Sequence, residues 1–178
     1  MILVEYVENE KHRRRVIEDI IVGAKSRLDI ATANVKALTV VRGKRGVSIV
    51  DFFLKKAEQG LNIRILHSGV PSEYFLRKAA ERELSHSENF CMRRCPRVHQ
   101  KTYLADGKLL YLGSANLTGA GIGAKSENRR NFEVGIITDE RALIDKVDSL
   151  FELIWCGDMC AKCARKASCP VPLEELKS

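Results

Sequence analysis

The chain has 178 residues and a mass of 20.0 kDa, with 45% hydrophobic and 30% charged residues, which suits one folded domain and excludes a disordered chain. No apolar run reaches the length of a membrane span, and the opening "MILVEYVENEKHRRR" places its apolar stretch ahead of its basic cluster, the reverse of a secretory signal. A cytoplasmic location without stable membrane insertion is therefore expected, and the net charge of +7 with a pI near 9.2 favours a polyanionic partner, nucleic acid or an anionic membrane surface.

Val16, Ile17, Ile20, Ile21 and Ala24 recur at helical spacing and predict a helix over 10–26. "RLDIATANV" reads as a strand, "VRGKRG" as a loop, and "VSIVDFFLKKAEQG" as an amphipathic helix closed by Gly60. "LNIRILHS" then completes a β-α-β unit, whose two strands should be parallel. A third helix is expected from Pro71-Ser72 to about Leu84. A hairpin follows, then the Gly-rich loop "TGAGIGAKSENRR", a strand "NFEVGIIT" and a last helix from Asp139 to about Trp155. This alternation of strands and helices implies an α/β sandwich over residues 1–155, followed by a Cys-rich tail over 156–178.

The hairpin, "VHQKTYLADGKLLYLGSANLTG", concentrates polar side chains in an otherwise apolar stretch. Asp106-Gly107 is a two-residue turn signal, because both central positions of a type I′ turn need positive φ. That turn pairs Ala105 with Lys108, Lys101 with Leu112 and His99 with Ser114. Strand alternation then gathers His99, Lys101, Ser114 and Asn116 on one face, beside Tyr103, Leu110 and Leu112. An imidazole, an ammonium, a hydroxyl and an amide on a partly buried face need a common partner. A bound phosphate would satisfy all of them, and so would a structural network capped by water.

His99-x-Lys101, four residues, Asp106, six residues and Gly113-Ser114-x-Asn116 resemble the signature of the phospholipase D superfamily of phosphodiesterases, position for position. "GLNIRIL" before the motif and "NFEVGI" after it extend the resemblance, with Glu133 at the usual acidic position. It implies an α/β/α sandwich with a mixed central sheet and a metal-independent reaction. One His attacks phosphorus to give a phosphohistidine while a second His protonates the leaving oxygen and later activates water. Lys101, Ser114 and Asn116 would hold the phosphate, with Arg129 and Arg130 adding substrate contacts. Glu133 would hold a ring nitrogen of His99, unless it forms a rim ion pair with Arg129 or Arg130 instead. Asp106, Gly107 and Gly113 would be structural. The signature occurs once, and His12, His67 and His86 have no Lys two residues on. A homodimer in which two copies of His99 line one cleft follows, as in the small bacterial endonucleases of that family.

The signature fixes chemistry and leaves the phosphodiester open. Basic clusters at Arg13-Arg14-Arg15, Arg42/Lys44/Arg45, Arg93-Arg94/Arg97 and Arg129-Arg130 favour DNA or RNA. With only 6% aromatic residues, base stacking and sequence preference should be weak. A phospholipid phosphodiesterase acting on anionic lipid and a non-catalytic nucleic-acid-binding module are the alternatives. Cys156, Cys160, Cys163 and Cys169 crowd the tail, where zinc, a [4Fe–4S] cluster, or disulfides and free thiols all fit the spacing. Cys91 and Cys95 could bridge to each other, complete a site with the tail or remain buried thiols.

Overall fold

The computed structural model describes residues 1–42 and 45–173. Its main sheet has seven strands: β1 (Val4–Glu8), β2 (Arg27–Thr32), β5 (Asn62–His67), β6 (Phe90–Arg94), β7 (Lys101–Ala105), β8 (Leu109–Gly113) and β9 (Val134–Thr138). The spatial order is β1-β9-β8-β7-β2-β5-β6. β2, β5 and β6 run parallel to one another, whereas β2–β7, β7–β8, β8–β9 and β9–β1 are antiparallel, so the sheet is mixed. The alternation of apolar residues along each strand builds two cores. Leu28 and Ile30, their neighbours Ile63 and Ile65, and Tyr103 and Tyr111 face one side; Ala31, Leu66, Leu104 and Leu110 face the other.

The first side is covered by a wide π-type helix (Arg13–Val22) through Val16, Ile17, Ile20 and Ile21. Helix α1 (Ile49–Glu58) adds Phe52 and Phe53, and α2 (Glu73–Glu81) adds Phe75. The second side is covered by α3 (Arg141–Trp155), which buries Ile144, Phe151 and Trp155. Side-chain oxygens start the three α-helices. Ser48 accepts from the Asp51 N–H at 3.2 Å, and the Glu140 carboxylate accepts from the Ala142 and Leu143 N–H groups at 3.0 and 2.6 Å. Gly60, at φ +89°, ends the α1 turn as expected. Among the described residues no helix is long and apolar enough to cross a membrane.

Four strands and one hairpin register depart from the expected order. β1 and β6 are additional edge strands. The expected "VRGKRG" loop is replaced by a separate two-stranded hairpin, β3 (Thr39–Arg42) and β4 (Arg45–Ser48), with Gly43 and Lys44 outside the described residues. The hairpin β7–β8 is also shifted by one. Asp106 and Gly107 do adopt positive φ (54° and 63°), and the Lys108 N–H bonds the Ala105 carbonyl at 2.9 Å. The ladder nevertheless pairs Ala105 with Leu109, Tyr103 with Tyr111 and Lys101 with Gly113. Lys108 is the extra residue and stays exposed. The two-residue register would have turned Lys108 onto the buried face; the observed one puts Leu109 and Tyr111 there.

Candidate active site

Lys101 opens β7 and is buried, and the Asn116 amide lies just past β8, so both are held at the same end of the sheet. His99 sits two residues ahead of β7 and is exposed. The Lys101 Nζ donates to the His99 carbonyl at 2.6 Å and stands 3.3 and 3.4 Å from its two ring nitrogens. Burial pulls the Lys101 pKa down, and the nearby Glu133 carboxylate acts against it. Asn116 Oδ1 accepts from the Ala33 and Asn34 N–H groups at 3.0 and 3.1 Å and from the Thr32 hydroxyl at 3.2 Å. Those donors fix the amide orientation, so its N–H₂ end is the part available to a ligand.

Ser114 follows β8. Its hydroxyl donates to Glu133 and accepts from the Val134 N–H at 3.1 Å. Glu133, 7% exposed, also accepts from Asn131 Nδ2 at 3.0 Å. Within one chain Glu133 therefore bonds Ser114 and Asn131, and neither the expected bond to the His99 ring nor an ion pair with Arg129 or Arg130 forms. Sheet order explains this. The Gly113–Gly135 pairing sets Ser114 beside the residues entering β9, while His99 leads into β7, one strand further away. His99 and Ser114 are thus not the cross-strand pair that a two-residue register would make.

Asp106 lies at the opposite end of the hairpin, as a structural residue would. Its carboxylate accepts from the Ser26 and Arg27 N–H groups at 2.8 and 2.9 Å and from the Ser26 hydroxyl at 2.8 Å, tying the turn to the start of β2. Burial opposes ionisation there, but these donors hold its carboxyl below the ordinary range. Gly113 is structural for a different reason: a Cβ on it, or on Gly135 opposite, would collide with the Tyr111 ring. The Tyr111 hydroxyl accepts from the Ala115 N–H at 3.2 Å and lies 2.9 Å from His12 Nε2. Thr32, Asn131, Tyr111 and His12 thus support the site, and nothing in their local sequence singles them out.

The family model described as "Cardiolipin synthase, PLD-like domain" matches residues 17–155. The chain belongs to the phospholipase D superfamily. No curated protein sequence matches this phospholipase D-like chain. Solved structures that share its fold include three with TM-scores near 0.6. NucT from Helicobacter pylori is 18% identical with a TM-score of 0.61, and the match covers 85% of this chain and 94% of that one. Phosphatidylserine synthase from Haemophilus influenzae is 16% identical with a TM-score of 0.59, covering 86% and 39%. Nuc from Salmonella typhimurium, a phospholipase D family member, is 14% identical with a TM-score of 0.58, covering 85% and 93%.

Around this phospholipase D motif the basic residues are unevenly placed. Arg13, Arg14, Lys125 and Arg130 line one open groove with Glu10 and Glu18; Arg130 pairs with Glu10 at 3.2 Å, and Arg129 is exposed. The cysteines carry free thiols, and among the described residues no three His, Cys, Asp or Glu side chains stand close enough to share a metal ion. The structure does not bring the four tail cysteines together. Cys156 caps α3, its N–H bonded to the Glu152 carbonyl at 2.8 Å, and packs on the same apolar cluster as Cys95 and Cys160 but does not line the cavity that Cys160, Cys163 and Cys169 share.

Proposed function

We propose that the chain is a metal-independent phosphodiesterase that cuts DNA or RNA as a homodimer, with one cleft built from two copies of the motif. The observation that carries this reading is the solitary exposed imidazole of His99 beside a buried ammonium. The other three histidines have other roles or places in the fold, which favours a mate from a second copy. His12 is fully buried, with Nδ1 2.9 Å from the Asn9 carbonyl and Nε2 held by Tyr111. His67 is buried, with Nδ1 2.8 Å from the Gly69 carbonyl. His86 lies beyond α2, near the β6 edge. An in-line displacement is helped by a proton donor on the far side of phosphorus, and in this reading a second copy supplies it.

In this reading a nitrogen of His99 attacks phosphorus, forming the N–P bond as the P–O bond to the leaving strand breaks. The partner subunit's His99 gives its proton to the departing oxygen. That imidazole then takes a proton from water, whose oxygen displaces His99 and releases the phosphate monoester end. Lys101 and the Asn116 amide donate to the non-bridging oxygens, where negative charge grows. Lys101 also fixes the backbone that carries the nucleophile, through its bond to the His99 carbonyl. Of the two carboxylates in and beside the motif, Asp106 is tied to the start of β2 and Glu133 bonds Ser114, so the motif offers no paired carboxylates for a catalytic divalent ion.

A face for the second copy adjoins the site. Val4, Tyr6 and Val134 expose 68%, 58% and 51% of their surfaces on one side of the β1–β9 edge, and Phe132 exposes 96% just before Glu133. An uncovered apolar sheet face of this kind is unusual on a monomer. Nucleic acid is favoured over lipid by the positive charge and by the groove holding Arg13, Arg14, Lys125 and Arg130, which reaches the site through the short segment from Arg130 to Glu133.

The test is incubation in EDTA with labelled single-stranded DNA, RNA and duplex, and with phosphatidylglycerol vesicles, comparing wild type with His99→Ala. Internal cutting of nucleic acid by the wild type alone is expected. Headgroup release from vesicles without strand cutting would make the chain a lipid phosphodiesterase. Tight nucleic-acid binding with no cutting under any condition would make it a binding module.

A further inference from the structure

The six cysteines line three different cavities, although Cys156 shares an apolar cluster with Cys95 and Cys160. Cys95, Cys160, Cys163 and Cys169 line a single cavity of about 120 Å³ between the end of β6 and the tail. Cys156 opens onto a groove beside Asp145, Glu152 and Asp158, and Cys91 onto one under α2 with Phe75 and Met92. We propose that Cys95, Cys160, Cys163 and Cys169 together hold a metal centre through four thiolates, with Cys95 from the phospholipase D-like domain in the place that the spacing of the tail alone gives to Cys156.

Four features of the cavity support this. Its only metal-ligating side chains are sulfurs, a soft donor set that selects zinc or iron–sulfur clusters over harder ions. Its rim is cationic: Arg97, Arg165 and Lys166 line it, and Arg97 Nη1 donates to Cys163 Sγ at 3.5 Å. Four thiolates around a centre of charge +2 leave a net charge of about −2, which such a rim balances and which neutral thiols would not require. Two of the four cysteines are followed by proline, in Cys95-Pro96 and Cys169-Pro170, and two form a Cys-x-x-Cys pair, Cys160 and Cys163, a pattern that iron–sulfur runs share.

The last feature is the tail itself. From Gly157 to Leu173 it makes turns and one short 3₁₀ segment (Lys166–Ser168), and its chief apolar anchor is Leu173. Ordering backbone costs about 1–2 kcal/mol per residue. One leucine cannot offset that over such a stretch, whereas a cross-link at four points can.

Zinc would draw all four sulfurs to about 2.3 Å from one point. Among the described residues no three metal-ligating side chains are placed to share one ion. A [4Fe–4S] cluster, in which each thiolate binds its own iron, accepts four sulfurs spread around a cavity, and it is the centre proposed here. Each thiol loses its proton as its iron–sulfur bond forms. The centre would also brace the nucleophile, because Val98, adjacent to His99, packs in one cluster with Leu173, Trp155, Cys95, Cys156 and Cys160.

The experiment is anaerobic purification of the full chain with iron, acid-labile sulfide and zinc analysis and a visible spectrum, repeated for Cys→Ser at each of the six positions. About four irons and four sulfides per chain are expected, lost in the variants at Cys95, Cys160, Cys163 and Cys169 and kept in Cys91→Ser and Cys156→Ser. One zinc per chain with the same pattern of losses would keep the ligand set and overturn the cluster. Metal kept in Cys95→Ser but lost in Cys156→Ser, or a metal-free chain whose cysteines are all thiols or disulfides by mass spectrometry, would overturn the site. Should a variant fail to fold, wild-type chain gives the second readout. Oxidative or chelating removal of the metal should lower its melting temperature and open the tail to protease, and an unchanged pattern would overturn the bracing role. None of these measurements depends on which phosphodiester is cut.

Discussion

At the scale of single residues, Lys101 carries two duties that one substitution separates. It is a buried cation facing the place where a phosphate would sit, and it is the donor that anchors the His99 carbonyl at 2.6 Å. Lys101→Met removes both, and kcat/KM is expected to fall by about 10²–10³-fold, as for loss of one well-placed transition-state donor. Lys101→Arg keeps the charge but cannot reproduce the compact geometry against His99, so little rescue is expected from it in the same steady-state assay. Glu133→Gln tests the Ser114 contact. The neutral amide weakens the charge-assisted hydrogen bond without changing size, so a loss of about 10-fold in kcat with unchanged melting temperature is expected.

The buried histidines set a pH dependence that is separate from catalysis. Burial lowers the pKa of both His12 and His67 below 6.5; backbone acceptors at Asn9 and Gly69 oppose it without overcoming it. Below about pH 6.5 the unfolded chain therefore binds more protons than the folded one. Stability is full above that pH and declines as pH falls through the window between the unfolded and folded values. Melting curves should show this decline, and His12→Gln should flatten it while lowering the melting temperature at neutral pH. A melting temperature independent of pH between 7 and the acid limit of folding would contradict the assignment.

At the scale of elements, the hairpin shows what a sequence discloses and what it withholds. Asp106-Gly107 announces its own turn because positive φ is a local property, and Ser48, Ser72 and Gly60 mark helix ends for equally local reasons. The register is not local. It is set by whether Leu109 or Lys108 faces the core against Ala105, and that depends on the helices packed over the sheet. β1 and β6 escape notice in the same way: Val4 and Tyr6 point outward, and β6 is "FCMRR", so neither edge strand shows a clean apolar alternation. The motif residues are legible as a set because their spacing is fixed by one hairpin. Their supports, Thr32 and Asn131, come from other strands and loops and are not.

The interface between the sheet and α3 contains a charge network that no sequence pattern marks. Asp29, 2% exposed, accepts from Arg64 Nε and Nη2 at 2.7 and 3.0 Å, Arg27 reaches it at 3.0 Å, and Arg64 continues to Glu152 at 2.5 Å while covering Phe151 and Trp155. Removing Arg64 leaves the buried Asp29 with Arg27 alone and two hydrogen bonds short, which costs about 1–3 kcal/mol. Arg64→Met should be destabilised on that scale in urea unfolding. The pair Arg64→Met with Asp29→Leu should recover most of the loss, since both charges are then gone. If the double variant is as unstable as the sum of the singles, the coupling is absent.

At the scale of the whole molecule, the proposed activity requires that two chains meet, and the stoichiometry of the reaction exposes whether they do. If one cleft uses His99 from both subunits, a pair of one wild-type and one His99→Ala chain lacks either the nucleophile or the acid. Co-refolding equal amounts then leaves about one quarter of the pairs competent, so activity per total chain should fall to about a quarter of the wild-type value. A self-sufficient chain would retain about half. The apolar edge supplies the companion measurement. Tyr6→Asp and Phe132→Asp place a charge at exposed positions, where they cost the fold little, but inside the proposed contact, where they oppose pairing. In sedimentation these variants should run as folded monomers with no cutting activity. Monomers that still cut at the wild-type rate would show that one His99 suffices, and the second proton donor would have to be sought within the chain.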